Sequence, residues 1–440
     1  MRVLTYDRGQ VHVDGQPVYL DNLKPMRVFP AYMYSRLVEH LEKSGEPFRD
    51  EAAQFLDAGK LSTSFKLRDY QEAALSSWIR GGSRGVVVLP TGAGKTILAV
   101  KAIEGLKAST IILVPTIVLV EQWRSVFQQA FKTEIGALGG GNAEILPITV
   151  STYDSASLRA RKLGNLFQFV VFDEVHHLTA PSYRRIAQRY LAPYRLGLTA
   201  TLPKEEAYLD IIEELVGEKN YQLGVDDLAG EYLADYTVKT VRLPLTGYEK
   251  TEYDKQYETY RKFLRTRGIK IRSPRDYMSL VKRTGRDPEA RRAITARTQA
   301  MDIAYNSDSK VAYLKSLLRA NPEEKAIIFT RQNKLVYRLS KELLIPAITH
   351  RTPREERTEI LRMFHGGEYK RVLTSRVLDE GVDVPDASIA IIISGSGSNR
   401  QFIQRLGRIL RPGPGKHAVL FELVSAGTAE TYISERRKRS

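Results

Sequence analysis

Between Leu67 and Leu223 short apolar runs alternate with helix-length segments. The runs fall at 86–89, 111–114, 148–150, 169–172 and 196–198. Their length suits buried strands, and the segments between them carry apolar residues at helical spacing, as at Ile97, Leu98, Val100 and Ile103. Such alternation predicts a parallel sheet wrapped by helices. A second set opens at Ala326-Ile327-Ile328-Phe329 and continues at 371–374, 389–393 and 418–422. The first sixty residues follow a different pattern. Two alternating stretches flank Asp14-Gly15, a tight-hairpin signal, and Tyr34, Leu37, Val38 and Leu41 then fall at helical spacing before Gly45. Gly224 and Gly230 lie in a polar stretch from Gly224 to Asp235 that reads as a linker. Beyond it Tyr253, Tyr257, Tyr260 and Leu264 share one face of a helix, a stripe that more often packs a core than stacks on bases. The expected organisation is an α/β chain with a small α+β unit over 1–60, one parallel-sheet domain over 61–228 and another over 229–440. The last carries a helical insertion at 247–300.

Composition narrows the chemistry. The 440 residues include no cysteine, which excludes disulfides and thiolate metal sites, and the seven histidines match no zinc spacing. A metal is therefore expected only together with a nucleotide. Lys and Arg outnumber Asp and Glu by 67 to 51, giving +16 and an isoelectric point near 9.6. That balance suits a protein that meets phosphate backbones. The excess concentrates between Val241 and Ala300, where sixteen Lys and Arg face seven Asp and Glu. The closing Arg436-Arg437-Lys438-Arg439 reads as a solvated tail. No apolar run reaches transmembrane length, and charge appears at Arg2 and Asp7, so a cytoplasmic location without membrane attachment is expected.

The candidate chemistry sits just after the predicted strands. Val86 to Leu89 breaks at Pro90 and passes through Thr91-Gly92-Ala93-Gly94 into a helix opening near Lys95-Thr96. Backbone N–H groups at such a turn converge on a polyphosphate, Lys95 reaches its terminal phosphates, and the Thr96 hydroxyl can ligate Mg2+. The strict pattern has Gly where this chain has Leu89. The apolar strand 169–172 delivers Asp173-Glu174 to the same sheet edge, where Asp173 can hold Mg2+ and Glu174 can activate water. Thr199-Ala200-Thr201 ends another strand. Further on, Thr374-Ser375-Arg376 and Asp379-Glu380-Gly381-Val382-Asp383 follow a strand, and Gln404, Arg408 and Arg411 share a helix face from which arginines could complete phosphate neutralisation.

These elements, with Leu67-Arg68-Asp69-Tyr70-Gln71 and Ile328-Phe329-Thr330-Arg331, resemble the ordered motif series of superfamily 2 helicases. End to end the chain is similar to the archaeal XPB helicases, relatives of the DNA-opening subunit of transcription factor IIH. The resemblance implies two RecA-like domains with ATP between them. Arg68 and Gln71 would contact the adenine, Lys95 and Thr96 the phosphates and Mg2+, and Gly381 and Asp383 the ribose side. Gln404, Arg408 and Arg411 would act in catalysis, the arginines as fingers. The N-terminal unit resembles a damage-recognition domain and the basic insertion a thumb gripping DNA, with Arg261, Lys262 and Arg265 as candidate contacts beside Thr374, Ser375 and Arg376. Where the family carries Arg-Glu-Asp for strand separation, this chain has Lys204-Glu205-Glu206, and Lys lacks the bidentate fork of Arg. The implied function is 3′ to 5′ DNA unwinding in repair or transcription, by a monomer or a heterodimer with a nuclease partner. A duplex translocase that leaves strands paired, an RNA helicase and a non-catalytic DNA scaffold are the alternatives.

Overall fold

The structure is a computed structural model that describes residues 1–20, 23–375, 387–394 and 417–439. It divides into two compact units, one running to Leu228 and the next beginning at Ala229.

The first unit opens with a small sheet of strands β1 (Arg2–Asp7), β2 (Gln10–Val13), β3 (Val28–Pro30) and β4 (Phe48–Asp50) in the order β3-β2-β1-β4, backed by helix α1 (Tyr34–Ser44). The tight hairpin turn is Arg8-Gly9, not the expected Asp14-Gly15. Asp7 pairs with Gln10, and both turn residues have positive φ, 48° and 99°. Those angles make a two-residue turn whose twist matches that of the strands. Asp14-Gly15 instead leaves β2 for the longer excursion to β3.

The remainder of this unit is built on strands β5 (Arg84–Val88), β6 (Thr110–Val114), β7 (Gly136–Gly139), β8 (Asn142–Glu144), β9 (Ile148–Thr152), β10 (Phe169–Asp173), β11 (Tyr194–Thr199) and β12 (Lys219–Gln222). Their order is β12-β5-β11-β10-β6-β9-β7-β8, parallel throughout except for the β7–β8 hairpin. Helices α2 (Asp69–Arg80), α3 (Lys95–Leu106), α4 (Ile117–Phe131), α5 (Tyr153–Leu163), α6 (Pro181–Arg189) and α7 (Glu206–Leu215) connect the strands. Central strands β6 and β10 are buried along their whole length, which is why they read as uninterrupted apolar runs rather than alternating ones. The register sets Val88 opposite Thr199, and Leu198 opposite Asp173, so the carboxyl ends of β5, β11 and β10 lie side by side. Ligands of open parallel sheets bind at that edge.

In the second unit β13 (Asp235–Leu243), β14 (Ala326–Phe329), β15 (Ala347–Ile348), β16 (Arg371–Thr374), β17 (Ile389–Ile392) and β18 (His417–Ser425) form a parallel sheet in the order β13-β18-β17-β14-β16-β15. Between β13 and β14 run α8 (Gly247–Thr266), α9 (Pro274–Arg283), α10 (Pro288–Tyr305) and α11 (Asp308–Ala320); α12 (Asn333–Leu343), α13 (Arg354–Gly366) and α14 (Ala429–Arg439) follow. The tyrosine stripe of α8 is core: Tyr253 and Tyr260 are buried against Ala290, Ala293, Ala300 and Ala304 of α10. Alanines on the facing helix leave room for the rings to pack against it.

Candidate active site

The strand–loop–helix turn between β5 and α3 forms as the sequence predicts, and it explains the departure at Leu89. Leu89 is fully buried and its N–H bonds the Thr199 carbonyl at 2.9 Å, so it extends the strand and needs no glycine. The left-handed positions come later, at Gly92 (φ 87°) and Gly94 (φ 71°), the latter capping α3. A Cβ on Gly94 would collide with the Gln71 amide. Within the turn, Lys95 Nζ lies 3.1 Å from the Leu89 carbonyl and 3.2 Å from that of Pro90.

The start of α2 clamps this loop. Buried Gln71 accepts from the Arg68 N–H at 2.9 Å through Oε1 and donates through Nε2 to the Ala93 carbonyl at 3.0 Å. The Tyr70 hydroxyl donates to the same carbonyl at 2.9 Å. Sequence reading gave Arg68 and Gln71 a role toward the adenine; what the structure displays is Gln71 fixing the loop, a task shared with Tyr70.

Asp173 and Glu174 close β10 beside the loop. Asp173 is buried, and its carboxyl is pushed up to about 7, first by desolvation and then by the Glu174 charge, while Lys95 and a Trp123 hydrogen bond pull it down. Buried Asp173 and partly buried Glu174 place two carboxylates near Lys95, so among the described residues the pair is short of positive charge, and Thr96 lies in the first turn of α3. These donors fit a divalent cation carried by a polyphosphate. Glu174 occupies a left-handed conformation, φ 52° and ψ 57°, rare for a side chain other than Gly or Asn. Its Oε2 accepts from the Thr199 hydroxyl at 3.0 Å and lies 3.4 Å from His176 Nδ1, and that nitrogen is 3.3 Å from the Thr199 hydroxyl. Thus the strand end Thr199-Ala200-Thr201 contacts the acid turn directly. Among the described residues no histidine or carboxylate cluster forms a metal site independent of nucleotide.

Other predicted residues scatter. Lys204, Glu205 and Glu206 are exposed at the start of α7. Thr374 and Ser375 are buried at the end of β16, where the Thr374 hydroxyl donates to the Ser375 carbonyl at 3.1 Å, so neither side chain is a surface group. Arg261, Lys262 and Arg265 are exposed on α8, with Arg261 and Arg265 drawn to Glu258. Cations that sequence reading passed over, Lys282, Arg283 and Arg286, line a cavity of about 520 Å³ at the α9–α10 turn with Ser279 and Asp287. Arg376, Gly381, Asp383, Gln404, Arg408 and Arg411 lie outside the described residues.

Comparison with known proteins decides the family. Residues 64–204 match the family described as type III restriction enzyme, res subunit, and residues 297–440 match that described as ERCC3/RAD25/XPB C-terminal helicase. Over its whole length the chain is 45% identical to the DNA 3′-5′ translocase XPB2 of Sulfurisphaera tokodaii, covering 100% of both chains. The chain belongs to the XPB helicase family. The XPB DNA 3′-5′ helicase of Mycobacterium tuberculosis is 31% identical over 85% of this chain and 63% of its own length. In fold the chain is similar to the Pyrococcus furiosus Hef helicase domain, with a TM-score of 0.54 at 20% identity over 84% of this chain and 98% of that one. The two parallel sheets are therefore RecA-like, and membership of the XPB family makes the chain an ATP-hydrolysing enzyme of the helicase and translocase class. Among the described residues no helix is long and apolar enough to cross a membrane.

Proposed function

We propose that the chain hydrolyses ATP at the carboxyl edge of the first parallel sheet and uses each cycle to move 3′ to 5′ along DNA. The observation that carries this reading is the acid turn: Glu174, held left-handed beside buried Asp173, next to Lys95 and the glycine loop. The loop N–H groups and Lys95 bind the terminal phosphates. Thr96 and Asp173 would hold Mg2+, which when bound screens the charge between the phosphates. Glu174 accepts the proton of the attacking water, with Thr199 orienting its carboxylate. Gln404, Arg408 and Arg411 keep the catalytic role, and Gly381 and Asp383 the nucleotide contact, that the resemblance implies.

The nucleic-acid contacts of this reading are cationic and directed at phosphates, from Arg261, Lys262 and Arg265 on α8 and from the Lys282-Arg283 and Arg286 cluster. A nuclease partner and a role in repair or transcription are further parts of the proposal. Whether motion separates strands has two answers. Lys204-Glu205-Glu206, exposed at the head of α7, is the candidate for prying strands apart. Tracking on intact duplex is favoured by the likeness to the Sulfurisphaera tokodaii translocase over the full chain, and by Lys204 in place of a bidentate Arg. Displacement of a third strand from a triplex, beside unwinding of a forked duplex, distinguishes them: a translocase strips the triplex but leaves the fork paired, while a helicase opens the fork. Loss of both with ATP present would overturn the motor.

A further inference from the structure

We infer that Tyr153 is a positioning residue for hydrolysis, its hydroxyl fixing the Asp173 carbonyl and so holding the Glu174 turn in the conformation that presents the carboxylate. The inference rests on the reading of Glu174 as the group that activates water.

Tyr153 is the first residue of α5, fully buried, and its hydroxyl donates to the Asp173 carbonyl at 2.9 Å. That carbonyl belongs to the peptide plane joining Asp173 to Glu174. The left-handed φ of Glu174 depends on the orientation of this plane, and a non-glycine residue there persists only when its surroundings over-determine it. Rotating the peptide toward an ordinary conformation would swing the carbonyl away from Tyr153. On the other side of Glu174, the His177 N–H bonds the Glu174 carbonyl at 2.9 Å. The turn is thus gripped before and after the carboxylate.

The grip is stiff because Tyr153 is itself fixed. Thr152 caps α5, accepting from the Ser155 N–H at 3.1 Å. The ring lies 5.4 Å from that of His177 and 5.3 Å from that of Tyr183, and Tyr183 is anchored by donating to Asp154 at 2.8 Å. A hydroxyl with so little freedom transmits its position to the peptide it touches.

The test is Tyr153→Phe, which removes the hydroxyl and keeps the ring packing. With saturating DNA, kcat for ATP is expected to fall about ten-fold from lost orientation of the carboxylate, while affinity for a fluorescent ATP analogue stays within about two-fold. The retained affinity and a still cooperative melting transition report intact folding. Unchanged kcat overturns the inference, and so does an equal loss of affinity and turnover, which marks a merely structural tyrosine. Glu174→Gln, measured alongside, separates the two levels: an active Glu174→Gln sinks the underlying reading, whereas an inactive Glu174→Gln with a fully active Tyr153→Phe sinks this inference alone.

Discussion

At the scale of single residues, the site assigns different tasks to neighbouring groups, and substitutions should separate them. Lys95→Ala removes the proposed phosphate contact and should abolish turnover by weakening nucleotide binding. Glu174→Gln should retain binding of the ATP analogue but lose roughly 10² to 10³-fold in kcat, as expected for a missing general base. Equal loss of binding in both variants would deny the division. Asp173 adds a pH signature. Burial and the Glu174 charge raise its carboxyl from 3.8 to about 7 in the metal-free fold. The protonated form is thus favoured on folding, and the stability it contributes is complete below the unfolded value and lost as pH rises toward 7. In EDTA the melting temperature of Asp173→Asn relative to the parent should therefore climb between about pH 4 and about pH 7 and level off above, and a constant difference would contradict it. The phosphate loop and acid pair were legible in the sequence because glycines, Lys95 and a carboxylate pair after apolar strands are unusual combinations. Tyr70, Trp123 and Tyr153 were not: a buried aromatic that donates to one carbonyl, or in Trp123 to the Asp173 carboxylate, reads in sequence as any core aromatic.

Among the elements, packing shows where periodicity carries information and where it stops. The apolar runs of the first sheet announced its strands, since residues buried on both faces leave no alternation to misread. The first hairpin was misplaced because Arg8-Gly9 makes the same two-residue turn as the more familiar Asp14-Gly15 signal, and only the Asp7–Gln10 pairing tells them apart. Arg195 was equally hidden inside strand β11. Its buried guanidinium donates to the carbonyls of Ala187, Tyr190, Ala192 and Leu215, closing the ends of α6 and α7. A lysine has three donors and no fork, so Arg195→Lys should destabilise the first unit by about 3 kcal/mol, read by calorimetry as a lower first transition. An unchanged transition would show that those carbonyls find other donors. At the α9–α10 turn, replacing Lys282, Arg283 and Arg286 with alanine should reduce the slope of log affinity against log salt for duplex DNA by about two to three. If the slope stays put, DNA phosphates do not reach this cluster.

For the whole molecule, charge and motif order said more than any one element. A surplus of sixteen positive charges and a phosphate loop upstream of a second parallel sheet pointed to a nucleotide-driven enzyme on a polyanion, and the match to XPB relatives along the full chain agrees with that class. The choice between strand separation and translocation was not legible, because on the proposed reading it turns on how a short exposed element, Lys204-Glu205-Glu206, meets a duplex. The measurement that reaches the central claim most directly is steady-state ATP turnover by the purified chain at fixed low salt, alone and with single-stranded DNA, forked duplex, blunt duplex and RNA, beside Glu174→Gln. Turnover stimulated by DNA well above the level with RNA, and reduced roughly 10² to 10³-fold in Glu174→Gln, is the predicted result. Turnover that ignores DNA, or that stays near the parent rate in Glu174→Gln, would contradict an ATP-driven DNA motor built on this acid turn.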